Sequence, residues 1–244
     1  MGTGSIRLFR LAGVQVYLHF SWFLVAAYQV QSRVGRYESH IWALYEYLAL
    51  FGIVLMHEFG HALACRETGG VADRIVLWPL GGVAFVSPPR RAGAVLWSIA
   101  AGPLVNVLLA PILWLLVSFA AHRGWESDAP DAFQFLSAVQ FVNLILLIFN
   151  LLPIYPLDGG QILRALLWFP LGEIRSLYVA SAIGLLGGAA LALYALFKTS
   201  IWTGVMAFFL LSRAVAGWQH ATALAAEAKA ATIAPDEALP PRVV

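Results

Sequence analysis

Residues 41–64 read IWALYEYLALFGIVLMHEFGHALA. A helix of ~20 apolar residues spans the hydrocarbon core of a bilayer, and this stretch is long enough to do so. It is apolar apart from Glu46, His57, Glu58 and His61. Ionisable groups are costly inside a membrane, so each of these four needs a reason to be there. Outward from this segment the same pattern recurs. Arg10 and Arg33 enclose 22 residues without Asp, Glu, Lys or Arg; Arg91 and Arg123 enclose 31, Asp131 and Asp158 enclose 26, and Arg175 and Lys198 enclose 22. The run from Ile201 to Trp218 carries only Arg213, near one end, where it can snorkel. The expectation is an all-α polytopic membrane protein with about six transmembrane helices.

Composition agrees. The chain has 244 residues, 61% hydrophobic and 11% charged. Soluble domains run near ~25% charged, so a single water-soluble domain is excluded, and so is disorder. A net charge of +2 gives no nucleic-acid footprint. The one cysteine, Cys65, has no intramolecular disulfide partner. Two arginines precede the first apolar run, as in a secretory leader, but five further spans favour a retained segment.

Arginine and lysine set the orientation. With the N-terminus in the cytoplasm, 11 of them fall inside and four outside (Arg33, Arg36, Arg123 and Lys198), which puts both termini in the cytoplasm. Between the second and third spans, Ile75 to Leu80 and Val83 to Val86 read as two short strands around a Gly81-Gly82 turn, a small β-hairpin. The domain reading is a membrane domain over residues 1–220 and a short cytoplasmic tail over 221–244.

The chemistry concentrates in His57-Glu58-Phe59-Gly60-His61. Helix positions four apart share a face, so His57 and His61 offer two imidazoles to one point. Glu58 lies beside them, suited to accept a proton from water. This is the zinc metallopeptidase pattern H-E-x-x-H. Two histidines leave a catalytic zinc one protein ligand short. Asp158 is the leading third candidate, because the second and fourth spans run in the same direction and end at the same depth. Asp158 and Gln161 also have the spacing of a capping box, so cap and ligand stand level on local sequence. All three asparagines, Asn106, Asn143 and Asn150, sit in or at the end of apolar spans. Asn143 reads as an interhelical hydrogen bond. Asn106 and Asn150, next to Ala101-Gly102-Pro103 and Pro153, read as site residues. His19, His40, His122 and His220 read as interfacial or structural.

Four segments together resemble the site-2 protease family of intramembrane zinc metalloproteases. They are His57 to His61, Pro79-Leu80-Gly81-Gly82, Ala101-Gly102-Pro103-Leu104-Val105-Asn106, and Asn150 to Gly160 with its Leu157-Asp158-Gly159. The resemblance implies one Zn2+ per chain held by His57, His61 and Asp158, with Glu58 catalytic. It also implies that Asn106 and Asn150 belong to the active-site region, as oxyanion or substrate contacts. The implied activity is hydrolysis of peptide bonds within or beside a transmembrane helix of a membrane-protein substrate. The Gly81-Gly82 hairpin is placed in sequence to pair with the unwound strand by β-augmentation. The setting is read as the plasma membrane of a prokaryote, and the orientation set by arginine and lysine puts the site toward the cytoplasm. The loop from Ala121 to Asp131 is too short for a PDZ domain, and the residues after Ala221 are too few for CBS domains, so the chain looks like a compact member. A catalytically silent scaffold and a metal transporter are the competing classes. The first would need a damaged motif, and the second would want ligands spread along a path.

Overall fold

The computed structural model describes residues 4–33, 35–78 and 81–233. The elements in order are β1 (Ser5–Leu11), β2 (Val14–His19), α1 (Ser21–Ser32), α2 (His40–Glu67), β3 (Val71–Trp78), β4 (Gly81–Ser87), α3 (Ala92–His122), α4 (Trp125–Asp128), α5 (Pro130–Asn150), α6 (Asp158–Lys198) and α7 (Ile201–Ile233). They form two compact units, residues 1–151 and 152–244. Among the described residues, five helices are long and apolar enough to cross a membrane: α2, α3, α5, α6 and α7. Their exposed faces carry Leu108, Trp114, Leu115, Ile148, Leu186 and Phe197, as expected where lipid is the solvent.

The first expected span differs. The interval from Arg10 to Arg33 begins as strand, with Val14, Val16 and Leu18 buried and Gln15, Tyr17 and His19 on the other face. The period of two decides this: one apolar face is buried and one polar face is not. Only 12 residues remain for α1, about 18 Å of helix, too short to cross alone. Its start is anchored by Trp22 against Tyr47 and Phe51 of α2, and Tyr47 donates to the Trp22 carbonyl at 3.1 Å. Its end is tied by Arg33, whose guanidinium lies 2.8 Å from the buried Glu46 carboxylate. Tyr37 donates to the same carboxylate at 2.6 Å. Burial, with Glu46 beside it, pushes the Tyr37 phenol above the usual tyrosine range and keeps it a donor. Glu46 is therefore a paired structural charge in α2.

The hairpin between α2 and α3 is half of a four-stranded sheet ordered β1-β2-β3-β4, in which β2 and β3 run parallel. Its inner face, with Val14, Val16, Leu18, Ile75 and Leu77, packs against Val54, Ala62 and Cys65 of α2. The strands were expected, but the turn was not where Gly81-Gly82 suggested. Trp78 pairs with Gly81 and Leu77 with Gly82, so both glycines belong to β4. Pro79 and Leu80, quoted in the sequence pattern, lie outside the described residues. Position 82 of the strand is glycine because a side chain there has no room, as the site makes plain.

In the second unit, α6 contains a break at Gly172, with φ 80° and ψ 169°, two residues after Pro170. The helical parts on either side are 158–171 and 173–198. Small residues bring α6 and α7 together: a Cβ on Gly188 would sit 2.8 Å from Leu211, and one on Gly184 3.1 Å from the Ala214 methyl. Gly160 and Gly184 seat the loop before α6. A Cβ on Gly160 would meet the Tyr155 nitrogen at 2.3 Å, and one on Gly184 its carbonyl oxygen at 2.4 Å. Helix α7 continues through residue 221 to Ile233, so the expected tail begins as part of this helix.

Candidate metal centre

Helix α2 places His57, Glu58 and His61 within one turn, all three buried. The two Nε2 atoms lie 3.1 Å apart. Two nitrogens bound tetrahedrally to one zinc at ~2.0–2.1 Å would be separated by about 3.3 Å. The distance fits a shared ion.

Hydrogen bonds on the far sides of the rings show why the nitrogens face each other. His61 Nδ1 lies 2.9 Å from the Ser98 carbonyl oxygen, an obligate acceptor, so His61 carries its proton on Nδ1. His57 Nδ1 lies 2.7 Å from Asn106 Oδ1. The orientation of that amide follows from its neighbour. Asn143 Nδ2 donates to the Asn106 main-chain oxygen at 3.0 Å, which leaves Asn143 Oδ1 to accept from Asn106 Nδ2 at 2.9 Å. Asn106 Oδ1 must therefore point at His57, and His57 too is protonated at Nδ1. With Nδ1 engaged on each ring, the two Nε2 atoms face each other and can both serve one shared cation. The donor set fits zinc, with carbonyl and amide partners fixing each ring in the ligating tautomer.

Close packing holds the rings there. A Cβ on Gly102 of α3 would fall 2.2 Å from His61 Nε2, and one on Gly60 would fall 2.5 Å from the Ala101 carbonyl oxygen. The run Ala101-Gly102-Pro103 thus lets α3 approach α2 closely enough for His61 to reach the Ser98 carbonyl. Glu58 Oε2 accepts the Ala84 backbone N–H of β4 at 2.8 Å. A Cβ on Gly82 would lie 2.2 Å from Glu58 Cγ, so the strand crosses directly over this side chain.

The sequence-derived residues are therefore distributed as follows. His57, Glu58, His61, Asn106 and Gly82 converge in the first unit. Gly81 is the first residue of β4, and Asn150 the last of α5. Asp158 is the first residue of α6 in the second unit. Its capping-box register is not used. Leu157 holds the cap position and its carbonyl accepts the Gln161 N–H at 3.0 Å, while Gln161 Nε2 donates to the Pro156 carbonyl at 2.9 Å. Asn106 sets its Oδ1 against His57 Nδ1 and its Nδ2 against Asn143 Oδ1. Asn143, which had read as a plain interhelical bond, is such a bond and also orients Asn106. The Ser98 carbonyl and the Ala84 amide had no sequence signal, because backbone groups carry none.

Asn106→Ala removes the acceptor from His57 Nδ1 and leaves both imidazoles in place. The expected result is a zinc affinity about 10–100-fold weaker, measured by competition with a chromophoric chelator. Unchanged affinity would show that the amide does not orient the ring.

A buried two-histidine, one-glutamate centre on a helix long and apolar enough to cross a membrane defines the class: a membrane-embedded zinc metallopeptidase site. The comparison with known proteins carries this to a family. The chain belongs to peptidase family M50, whose model matches residues 45–126 and 124–194. A zinc metalloprotease of Methanocaldococcus jannaschii is 32% identical over 180 residues, 74% of this chain and 50% of its own. Stage IV sporulation protein FB of Bacillus subtilis is 33% identical over 156 residues, 62% of this chain and 46% of its own. The solved structure of a site-2 protease from Methanocaldococcus jannaschii superposes with a TM-score of 0.63 at 28% identity, over 88% of this chain and 95% of that one. The chain spans about half the length of the curated relatives it matches. Family and donor set together identify the metal as zinc.

Proposed function

We propose that this chain is an intramembrane zinc protease, hydrolysing peptide bonds within or next to transmembrane helices of membrane-protein substrates. The observation that carries the reading is the pair of Nδ1-protonated imidazoles facing each other 3.1 Å apart, with Glu58 beside them. His57, His61 and Asp158 are the ligands in this reading. Zinc, when bound, acts as a Lewis acid that polarises a carbonyl and acidifies water. Glu58 takes the proton from the attacking water and returns it to the departing amine. Asn150 is assigned to substrate contact, and Asn106 to holding His57.

A helical substrate hides its carbonyls in its own hydrogen bonds and must unwind before attack. Strand β4 is the sheet edge. Ala84 donates away from β3, so by the alternation of a strand Gly82, Ala84 and Val86 all turn their N–H and C=O groups to the open side. An unwound segment would add there as a further strand. In the same reading the sheet end of α2, with Arg66, Arg74, Arg90 and Arg91 in its loop, faces the cytoplasm of a prokaryotic cell. The first crossing is then made by β2 and α1 in succession, which leaves residues 1–220 as the membrane domain and both termini inside.

Asp158→Ala should lower the zinc content of the purified chain well below one per molecule, measured by elemental analysis. Stoichiometric zinc in that variant would remove Asp158 from the ligand set and leave the third position to another donor.

A further inference from the structure

The outer face of the four-stranded sheet carries a second cluster of chemistry, separate from the metal centre. Its inner face is the core already described, so the outward residues are read from the register. Arg7 pairs with Tyr17, Arg10 with Gln15, and Gln15 in turn with Arg74. Arg7 and Arg10 are three apart and would face opposite ways in a regular strand. The irregularity between Arg7 and Phe9 inserts a residue and puts both arginines on the outer face. A second irregularity, between Ala72 and Arg74, turns Arg74 outward while Ala72 and Ile75 stay buried. Arg7, Arg10, Gly13, Gln15, Tyr17, Asp73 and Arg74 line a cavity of about 320 Å³. Three guanidinium groups and one carboxylate leave it with two uncompensated positive charges.

The other half of the same face is aromatic. Trp78, Val83 and Phe85 are exposed, and His19 stacks on Trp78 with ring centroids 4.3 Å apart. The Arg74 guanidinium lies 4.3 Å from the centre of the Phe85 ring, which joins the two halves.

Helix α2 gives this gradient a direction. Gly82, at the aromatic end, lies on Glu58, whereas Gly70, just before β3, lies against Cys65, whose thiol is 3.5 Å from the Val71 carbonyl. The sheet therefore runs along the last turns of a membrane span, with Trp78 at the depth of Glu58 and the arginines toward the end of the helix. From Arg74 to Trp78 is about 13 Å of strand. The headgroup layer is roughly 5–8 Å thick on each side of the core. Tryptophan at the inner boundary and arginine at headgroup level is the distribution that membrane surfaces select.

We propose that the cavity between Arg7, Arg10 and Arg74 binds the phosphate of an anionic phospholipid headgroup, with the acyl chains passing over Trp78, Val83 and Phe85. Paired guanidinium groups suit phosphate because each offers two parallel N–H donors. Tyr17 adds a neutral donor, while the Gln15 amide is held by the Phe9 carbonyl. The site is independent of the protease reading and rests only on α2 being a membrane span.

The test uses the full chain purified in a non-ionic detergent and presented with phosphatidylglycerol or phosphatidylcholine in equal amounts, with retained lipid counted by native mass spectrometry. The wild type should retain phosphatidylglycerol about tenfold over phosphatidylcholine. Each arginine removed should cost about fivefold, so Arg10→Gln with Arg74→Gln abolishes the preference. Arg10→Lys with Arg74→Lys keeps the charge and should keep part of it. Equal retention of the two lipids by the wild type would overturn the proposal, and so would an undiminished preference in the double glutamine variant with its zinc intact. A third arm adds inorganic phosphate alone. Displacement of phosphatidylglycerol by an equal concentration of it would assign the cavity to a soluble anion and sink the lipid reading. The wild-type comparison decides by itself if the double variant fails to fold.

Discussion

Glu58→Gln is expected to bind zinc as the wild type does while losing cleavage by roughly 10²–10⁴-fold, the range that a positioned general base supplies. The geometry makes this a clean change. Glutamine has the same shape, fits beneath Gly82, and keeps an oxygen to accept the Ala84 N–H now 2.8 Å from Glu58 Oε2. Neither imidazole depends on Glu58 for its orientation, since His57 is held by Asn106 and His61 by the Ser98 carbonyl. Only the ability to take and return a proton is lost. The measurement is co-expression of each form with a panel of tagged single-span membrane proteins, scored for a new cytoplasmic fragment, beside a zinc determination on purified protein. Full cleavage by the glutamine form would take Glu58 out of the mechanism.

Gly102→Ala should cost the metal rather than the chemistry. The added Cβ would stand 2.2 Å from His61 Nε2 and 2.3 Å from Cε1, inside any permitted contact. The ring must move, and its Nδ1 bond to the Ser98 carbonyl moves with it. Bound zinc is expected to fall at least about tenfold at limiting metal, the loss typical when a ligand's supporting bond goes. Gly52→Ala in α2 and Gly93→Ala in α3 are the controls, because a Cβ at either meets nothing within 4 Å. Alanine is also the better helix former, so these two should hold full zinc and fold at least as well. Full zinc in Gly102→Ala would mean that His61 ligates from another rotamer, or does not ligate.

Much of this was legible in residue order. Runs free of charge measured three of the later spans well, since a helix in lipid needs only length and apolarity. The same rule failed at Arg10 to Arg33, because it registers apolarity and not conformation. The alternation of Val14, Val16 and Leu18 with Gln15, Tyr17 and His19 was the signal that distinguished strand from helix there. Gly81-Gly82 looked like a turn because glycine pairs usually are, whereas here glycine serves the approach of β4 to Glu58. Asp158 had the spacing of a cap, yet the helix begins one residue earlier in register, with Leu157 accepting the first turn's bond.

Residue order by itself determined that the chain crosses a membrane and that His57 and His61 share a helix face with Glu58 beside them, because both follow from spacing along one segment. The tautomers of the two rings did not follow. They depend on a carbonyl of α3, and on an Asn106 amide whose direction is set by Asn143 of α5. Only packed helices bring such groups together, since a hydrogen bond between residues 37 or 49 positions apart leaves no trace in local pattern.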